Sequence, residues 1–301
     1  MAESRILDFE ANKIEKLTLE ELKLTCSEAA ASGKPLHGIE HFQIFEAIQE
    51  VLDKRNIGNS VLPIYASDGG DSALKGVARI PLLEQQLGVK TLQAMILRRL
   101  IGGIKLSDFE DDESHGMIAI SFHQRGVQIA YGQNITYCGN LTIFGAGNSM
   151  ATFQNGISRA MPDFRKMLEV IQTWAEEHGR KRTYDLTVMR RMKEIHLAHE
   201  KVAEVLGFMT MMRIGRDKLR TEKAYPLNQS QINLVGERYM QIPEEQRPVS
   251  LWKFYNSVTE MHKAGSTDLP LIIDNNVVTG QFLTQHFGLT PEIIEAEAEI
   301  L

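Results

Sequence analysis

Two histidines raise the first question of chemistry. His196 and His199 stand three apart in "EIHLAHE" (194–200), with Glu200 adjoining. Zinc hydrolases place a His pair on one helix face at a spacing of four and add a third ligand from elsewhere. The spacing here is three, and no second cluster of His, Cys or Asp accompanies it. Surface histidines among glutamates are the plainer reading. "GAGNS" (145–149) offers backbone N–H groups to an anion but lacks the Lys-Ser/Thr of a P-loop. "ASDGGDSA" (66–73) has two Ser and two Asp without a His at motif spacing, so it makes no nucleophile. The carboxylates of "DFEDDE" (108–113) read as a solvated loop, with weak divalent-ion binding as the minor alternative. Cys138, in a strand-like run, reads as a small buried residue rather than a nucleophile. No catalytic residue, metal ligand or cofactor follows from these stretches. A metal-dependent nuclease is the least implausible enzymatic reading.

A basic and aromatic constellation carries more. Arg98, Arg99 and Lys105 fall on one candidate strand pair, and Arg125, Tyr131 and Tyr137 on the next. Arg213, Arg216, Lys218 and Arg220 follow a long helix, and Trp252 and Lys253 belong to another. Single-stranded nucleic acid is held by such sets, with cations tracking the phosphates and rings stacking the bases. Charge is distributed accordingly. The chain has net charge −6, yet residues 180–223 hold twelve Lys or Arg against six Asp or Glu. A basic segment in an acidic chain is either an electrostatic footprint or a solvated helix face.

These residues must be positioned by two kinds of element. Residues 8–55 read as helical, with a Thr18-x-x-Glu21 capping box and apolar spacing in "IEHFQIFEAIQEVLDK". Between about 60 and 147, β-branched and aromatic residues broken by Gly predict a mostly antiparallel sheet, with "HQRG" (123–126) as a hairpin turn. From Pro162 onward helices return: one closing at Gly179, one long helix or two over 184–215 with Gly207 as a break, and others at 228–240, 250–263 and 274–287. The pattern predicts an α+β fold with an N-terminal helical segment (1–58), a sheet-bearing domain (59–160) and a helical C-terminal half (161–301) that packs on the sheet. Only Cys26 and Cys138 are present, which fits reducing cytoplasm rather than a disulfide scaffold. No apolar run approaches the ~20 residues of a membrane span, and the charged N-terminus has no signal-peptide pattern.

Several ordered segments carry a resemblance: "IGGIKL", "ITYCGNLTIF", "GFMTMMRIGRDKL", "YPLNQSQINLVGERYM" and "SLWKFYNSVTEMHKAGSTDLP". Over residues 90–285 they resemble an uncharacterised phage/plasmid-like family of mobile elements. Its Gln-x-x-x-Val-x-x-x-Tyr helix is matched by Gln231, Val235 and Tyr239. Its Leu-Trp-x-x-Tyr-Asn-x-x-Thr helix is matched by Leu251, Trp252, Tyr255, Asn256 and Thr259. Its sheet ends in a Cys-x-Asn-type stretch, represented by Cys138 and Asn140; a second Cys near the first is absent, with Thr142 and Ile143 in that region, and its Lys-Ser-Ser-Tyr-like turn is only partly kept in "KAGSTD" (263–268). The resemblance implies a phage or mobile-element origin and supplies no activity.

The sequence therefore sets two expectations. The first is a non-enzymatic protein that binds single-stranded DNA in replication or recombination, as a homo-oligomer of annealing type. The alternative is a protein-interaction module, a host-defence inhibitor or virion component, that ignores nucleic acid.

Overall fold

The computed structural model describes residues 14–31, 39–67, 99–107, 114–123, 126–135, 143–144, 150–154, 160–219, 227–263 and 269–289. In chain order these form β1 (Ile14–Leu17), α1 (Leu19–Ala31), α2 (His41–Asp53), β2 (Asn59–Val61) and β3 (Ile64–Ser67). The centre of the sheet follows: β4 (Arg99–Leu106), β5 (Ser114–His123), β6 (Gly126–Ile135), β7 (Ile143–Phe144) and β8 (Met150–Gln154). Next come α3 (Ala160–Glu176), α4 (His178–Glu194), β9 (His196–Leu197) and α5 (His199–Leu219). The last are α6 (Gln229–Met240), β10 (Val249–Ser250), α7 (Leu251–Lys263) and α8 (Leu269–His286).

The first eight strands make one antiparallel sheet. β4, β5 and β6 are its centre, with Ile104 opposite Ile118 and Ile120 opposite Ile129. β2 and β3 share one edge of β4, bridged by the Leu62 N–H donating to the Gly103 carbonyl at 2.8 Å. β7 and β8 share the free edge of β6 in the same way. Period-two alternation then gives the sheet two faces. On one, Leu100, Ile104, Ile118, Ile120, Phe122 and Ile129 pack against Phe45 and Ile48 of α2 and Ile171 and Trp174 of α3. The close approach of α2 is made at Gly102, where a Cβ would stand 2.7 Å from the Phe45 ring. On the other, Ile101, Met117, Ala119 and Ala130 meet Ile272, Ile273 and Val277 of α8. A separate core joins α4 through α7 and the C-terminal end of α8, around Met192, Val205, Ile232, Val235, Leu251, Tyr255 and Leu283.

The chain is thus α+β, an antiparallel sheet followed by a helical half. Five local expectations differ. Residues 14–17, expected as helix, form β1 and pair with β3 from Ile14↔Ser67 to Leu17↔Ile64. Ile14 and Leu17 suit a helix by spacing, but the free edge of β3 decides. The sheet runs to Gln154, past the expected limit near 147, because β8 pairs with β6. The 184–215 stretch is two helices, yet the break lies at Ile195, not at Gly207. Ile195 is extended, which lets Leu197 pair with Val249 and its carbonyl accept from the Leu251 N–H at 2.7 Å. Gly179, expected as a helix end, sits in the first turn of α4, and α8 starts at Leu269 rather than 274.

Candidate functional site

The aromatic candidates are inside. Tyr131 is 1% exposed, and its hydroxyl meets His178 Nδ1 at 3.1 Å. Trp174 lies 5.9 Å away between ring centroids, and the Lys181 ammonium stands 5.7 Å from the Tyr131 ring. Burial raises the Tyr131 pKa, the charge of buried Asp185 adds to this, and Arg182 opposes it. Burial also lowers the Lys181 pKa, against the pull of Asp185 and Glu177. The perturbed groups Tyr131 and Lys181 would suit acid–base chemistry, but a tyrosine this enclosed is not reached by a substrate; the cluster joins α4 to β6. Trp252 is buried and stacks on Tyr255 at 5.4 Å. The expectation that Tyr131 and Trp252 stack bases is withdrawn on these grounds, since each ring already has its partners in the core.

The motif around Trp252 is explained by packing. Leu251, Trp252, Phe254, Tyr255, Val258, Thr259 and Met261 are all buried, so α7 is covered on most of its circumference. Thr259 Oγ1 donates to the Asn256 carbonyl at 3.0 Å. The companion motif is structural too. Gln231 and Asn228 cap α6 reciprocally, Gln231 Nε2 donates to the Met261 carbonyl at 2.7 Å, and Val235 and Tyr239 are buried.

The cationic candidates divide. Arg213 on α5 and Lys253 on α7 are exposed, and Lys105 on β4 is half-buried. Arg99 begins β4, and Arg216 and Lys218 lie in the last turns of α5. Arg98, Arg125, Tyr137 and Arg220 lie outside the described residues, as do Cys138, "GAGNS" and "DFEDDE". Sequence reasoning passed over the helix with the densest positive charge. α4 holds Arg180, Lys181, Arg182, Arg190, Arg191 and Lys193 against Asp185 and Glu194, and its charge was legible in the 180–223 count. Arg180 pairs with Glu177 at 3.0 Å and Arg191 with Glu194 at 3.2 Å, while Arg190 is exposed.

His196 is in β9, with Nδ1 2.7 Å from the Glu194 carbonyl, whereas His199 opens α5 and stacks on Tyr239 at 6.1 Å. The expected shared helix face is therefore broken by the Ile195 bend. Among the described residues no group of three or more His, Cys, Asp or Glu is placed to hold an ion. Cys26 is buried, and desolvation with the Glu40 charge pushes its thiol up to about 12, so it is inert near neutral pH.

One surface stands apart. Seven large apolar residues are exposed among the described residues, and five of them, Phe208, Met211, Met212, Leu234 and Met240, are on α5 and α6. Between these helices runs a groove of about 390 Å³ with Gly207, Thr210, Asn233 and Gly236 on its walls. Gly236 permits the close approach, since a Cβ there would lie 3.2 Å from Leu206 Cδ1; a Cβ at Gly207 would meet nothing within 4 Å. Exposed large apolar residues gathered on neighbouring helices are a feature of interaction sites. Its signal was present in "GFMTMMRIG", whose methionines read equally well as core filling.

Comparison of the chain with protein-family models, curated proteins and solved structures finds no match. Among the described residues no helix is long and apolar enough to cross a membrane.

Proposed function

We propose that this protein is a non-enzymatic binding module whose working surface is the α5–α6 face, presented to a protein partner. The observation that carries the reading is the gathering of five of the seven exposed large apolar residues on those two helices. Met211, 64% exposed, is the most prominent. Methionine-rich surfaces suit adaptable contacts because the unbranched thioether repacks at low cost. The resemblance to phage and mobile-element proteins directs the search for the partner to extracts of a host cell. Immobilised protein is compared with Met211→Glu and Leu234→Glu in such an extract, with the distant exposed Leu24→Glu as control. A protein retained by the wild type and by Leu24→Glu, and lost from both face variants, supports the reading. Retention that is indifferent to the face variants overturns it.

A second reading keeps single-stranded DNA as the partner and moves its footprint to α4, whose six cations face two carboxylates. The net charge of −6 is compatible with this when positive charge is local. A labelled single strand of about 35 nucleotides is titrated at low and moderate salt beside a duplex control. Steeply salt-dependent binding that Arg190→Ala flattens supports it; no binding at low salt ends it.

A further inference from the structure

We propose that Lys181 is an acylation site, a reactive amine on α4 that takes its acyl group from a small acyl phosphate.

The amine is prepared by its position. Lys181 lies in the first turn of α4, where the helix packs on β6, and its ammonium stands 5.7 Å from the centre of the Tyr131 ring. Among the described residues that ammonium has neither a hydrogen bond nor an ion pair. Other lysines are held differently. Lys23, Lys54 and Lys201 pair with Glu46, Glu50 and Glu204 at 2.8, 2.6 and 2.8 Å. A paired ammonium keeps its proton and has no lone pair to offer. The carboxylates that act on Lys181 do so without pairing with it: Glu177 is bound to Arg180 at 3.0 Å, and Asp185 is buried. Lys181 itself is half-buried, so it is open to solvent on one side while Tyr131 is not. Burial disfavours the charged form and lowers the pKa of the amine, which leaves more of it nucleophilic near neutral pH.

The surroundings select the donor. Arg180 and Arg182 flank Lys181, and α4 as a whole holds six cations against two carboxylates. Local positive charge gathers an anionic reagent and stabilises charge that develops on a departing phosphate. An uncharged acyl donor gains neither advantage. In the step, the Nζ lone pair attacks the acyl carbonyl carbon and a C–N bond forms. The C–O bond to the phosphoryl group breaks, inorganic phosphate leaves with its electron pair, and the surplus proton on nitrogen passes to water. The product is a neutral amide that leaves α4 with five of its six cations.

The full chain is incubated with acetyl phosphate, and acetyl-lysines are followed over time by mass spectrometry. In the folded protein Lys181 is expected to react several-fold faster than the exposed Lys16 and Lys253, and in concentrated urea the three should react alike. The rate–pH curve of Lys181 should rise at lower pH than theirs. Glu177→Gln should move that curve to still lower pH and Arg180→Gln to higher pH, because the carboxylate holds the proton on and the guanidinium drives it off. Added salt should slow acetylation by acetyl phosphate more than acetylation by an uncharged N-hydroxysuccinimide ester. Melting temperatures confirm that both variants fold. A Lys181 no faster than Lys16 and Lys253, or one that keeps its lead in urea, overturns the inference. A curve that neither variant moves overturns it too, since exposure alone would then set the rate. A lead seen with the ester and not with acetyl phosphate also overturns it, by removing the acyl phosphate as donor.

Discussion

The two faces of the sheet are made by the same three central strands, residue by alternate residue, and they are packed on different terms. Under α2 and α3 the contact is mostly apolar, with buried His41 of α2 against the Phe122 ring at 4.1 Å, and the helix comes so close that Gly102 has no space for a side chain against Phe45. Under α8 the apolar contact is smaller, and polar groups are drawn into the layer. Ser121 Oγ meets Gln128 Oε1 at 3.4 Å, and Gln128 Nε2 reaches the Met150 sulfur at 3.1 Å. Thr279 bridges α8 to His262, and Asn276 is enclosed. The first face is held by burial and shape, which are strong and tolerant of chemistry. The second is held by partners found or not found for each polar atom, which is weaker and more specific.

Breaking the first face is expected to have the largest effect. Phe45 is fully buried between Gly102, Ile64 and Phe122, the last at 6.0 Å between centroids. Phe45→Ala should lower unfolding free energy by about 3–5 kcal/mol, read as a fall in denaturant midpoint with unchanged slope. Gly102→Ala attacks the same contact from the strand. Its methyl would overlap the ring, which cannot leave a closed core, so a loss of about 1–3 kcal/mol is expected. Combining Gly102→Ala with Phe45→Leu should cost less than the two single losses added, because the smaller side chain vacates the space that the methyl takes. Strict additivity would show that the two residues are not in contact.

How much of this was legible in the sequence follows the same division. The apolar face announced itself by alternation in "GMIAISF" and "VQIAYG", and the Thr18–Glu21 box caps α1 as its spacing requires, with reciprocal bonds of 2.7 and 3.2 Å. β1 was not legible, because Ile14 and Leu17 fit a helix and a strand alike and only the edge of β3 chooses. The break at Ile195 was hidden for the same reason: it is fixed by Val249, more than fifty residues away. Among candidate residues, type was readable and exposure was not. Tyr131 and Trp252 look like stacking rings until their neighbours, His178 and Tyr255, are in place. Met211 looks like core until α5 is found to have no element over its outer side among those described.

On the second face the effects are smaller, and their sign depends on partners. Thr279 Oγ1 donates to the Asn275 carbonyl at 2.8 Å, so its remaining role toward His262 is to accept, which makes Nε2 the protonated nitrogen of that ring. Thr279→Val keeps the shape and removes the acceptor, leaving a buried N–H unmet. A loss of about 1–2 kcal/mol is expected. Thr279→Ser, which keeps the hydroxyl, should lose less; an equal loss would assign the effect to the methyl group instead.

Asn276 reverses the sign. Its side chain is fully buried, and among the described residues neither Oδ1 nor Nδ2 has a hydrogen-bond partner. Its neighbours in the layer, Ile272, Ile273 and Val277, are apolar. The amide lost its water on folding and gained nothing in exchange, so folding is opposed at this point. Leucine has nearly the same volume and no polar atom. Asn276→Leu should therefore raise stability by about 1 kcal/mol, seen as a higher denaturant midpoint, whereas Ile120→Asn on the opposite face introduces the same defect and should lower it by several times that amount. If Asn276→Leu is destabilising, the amide is engaged in solution and the α8 layer is better satisfied than the contrast between the faces allows.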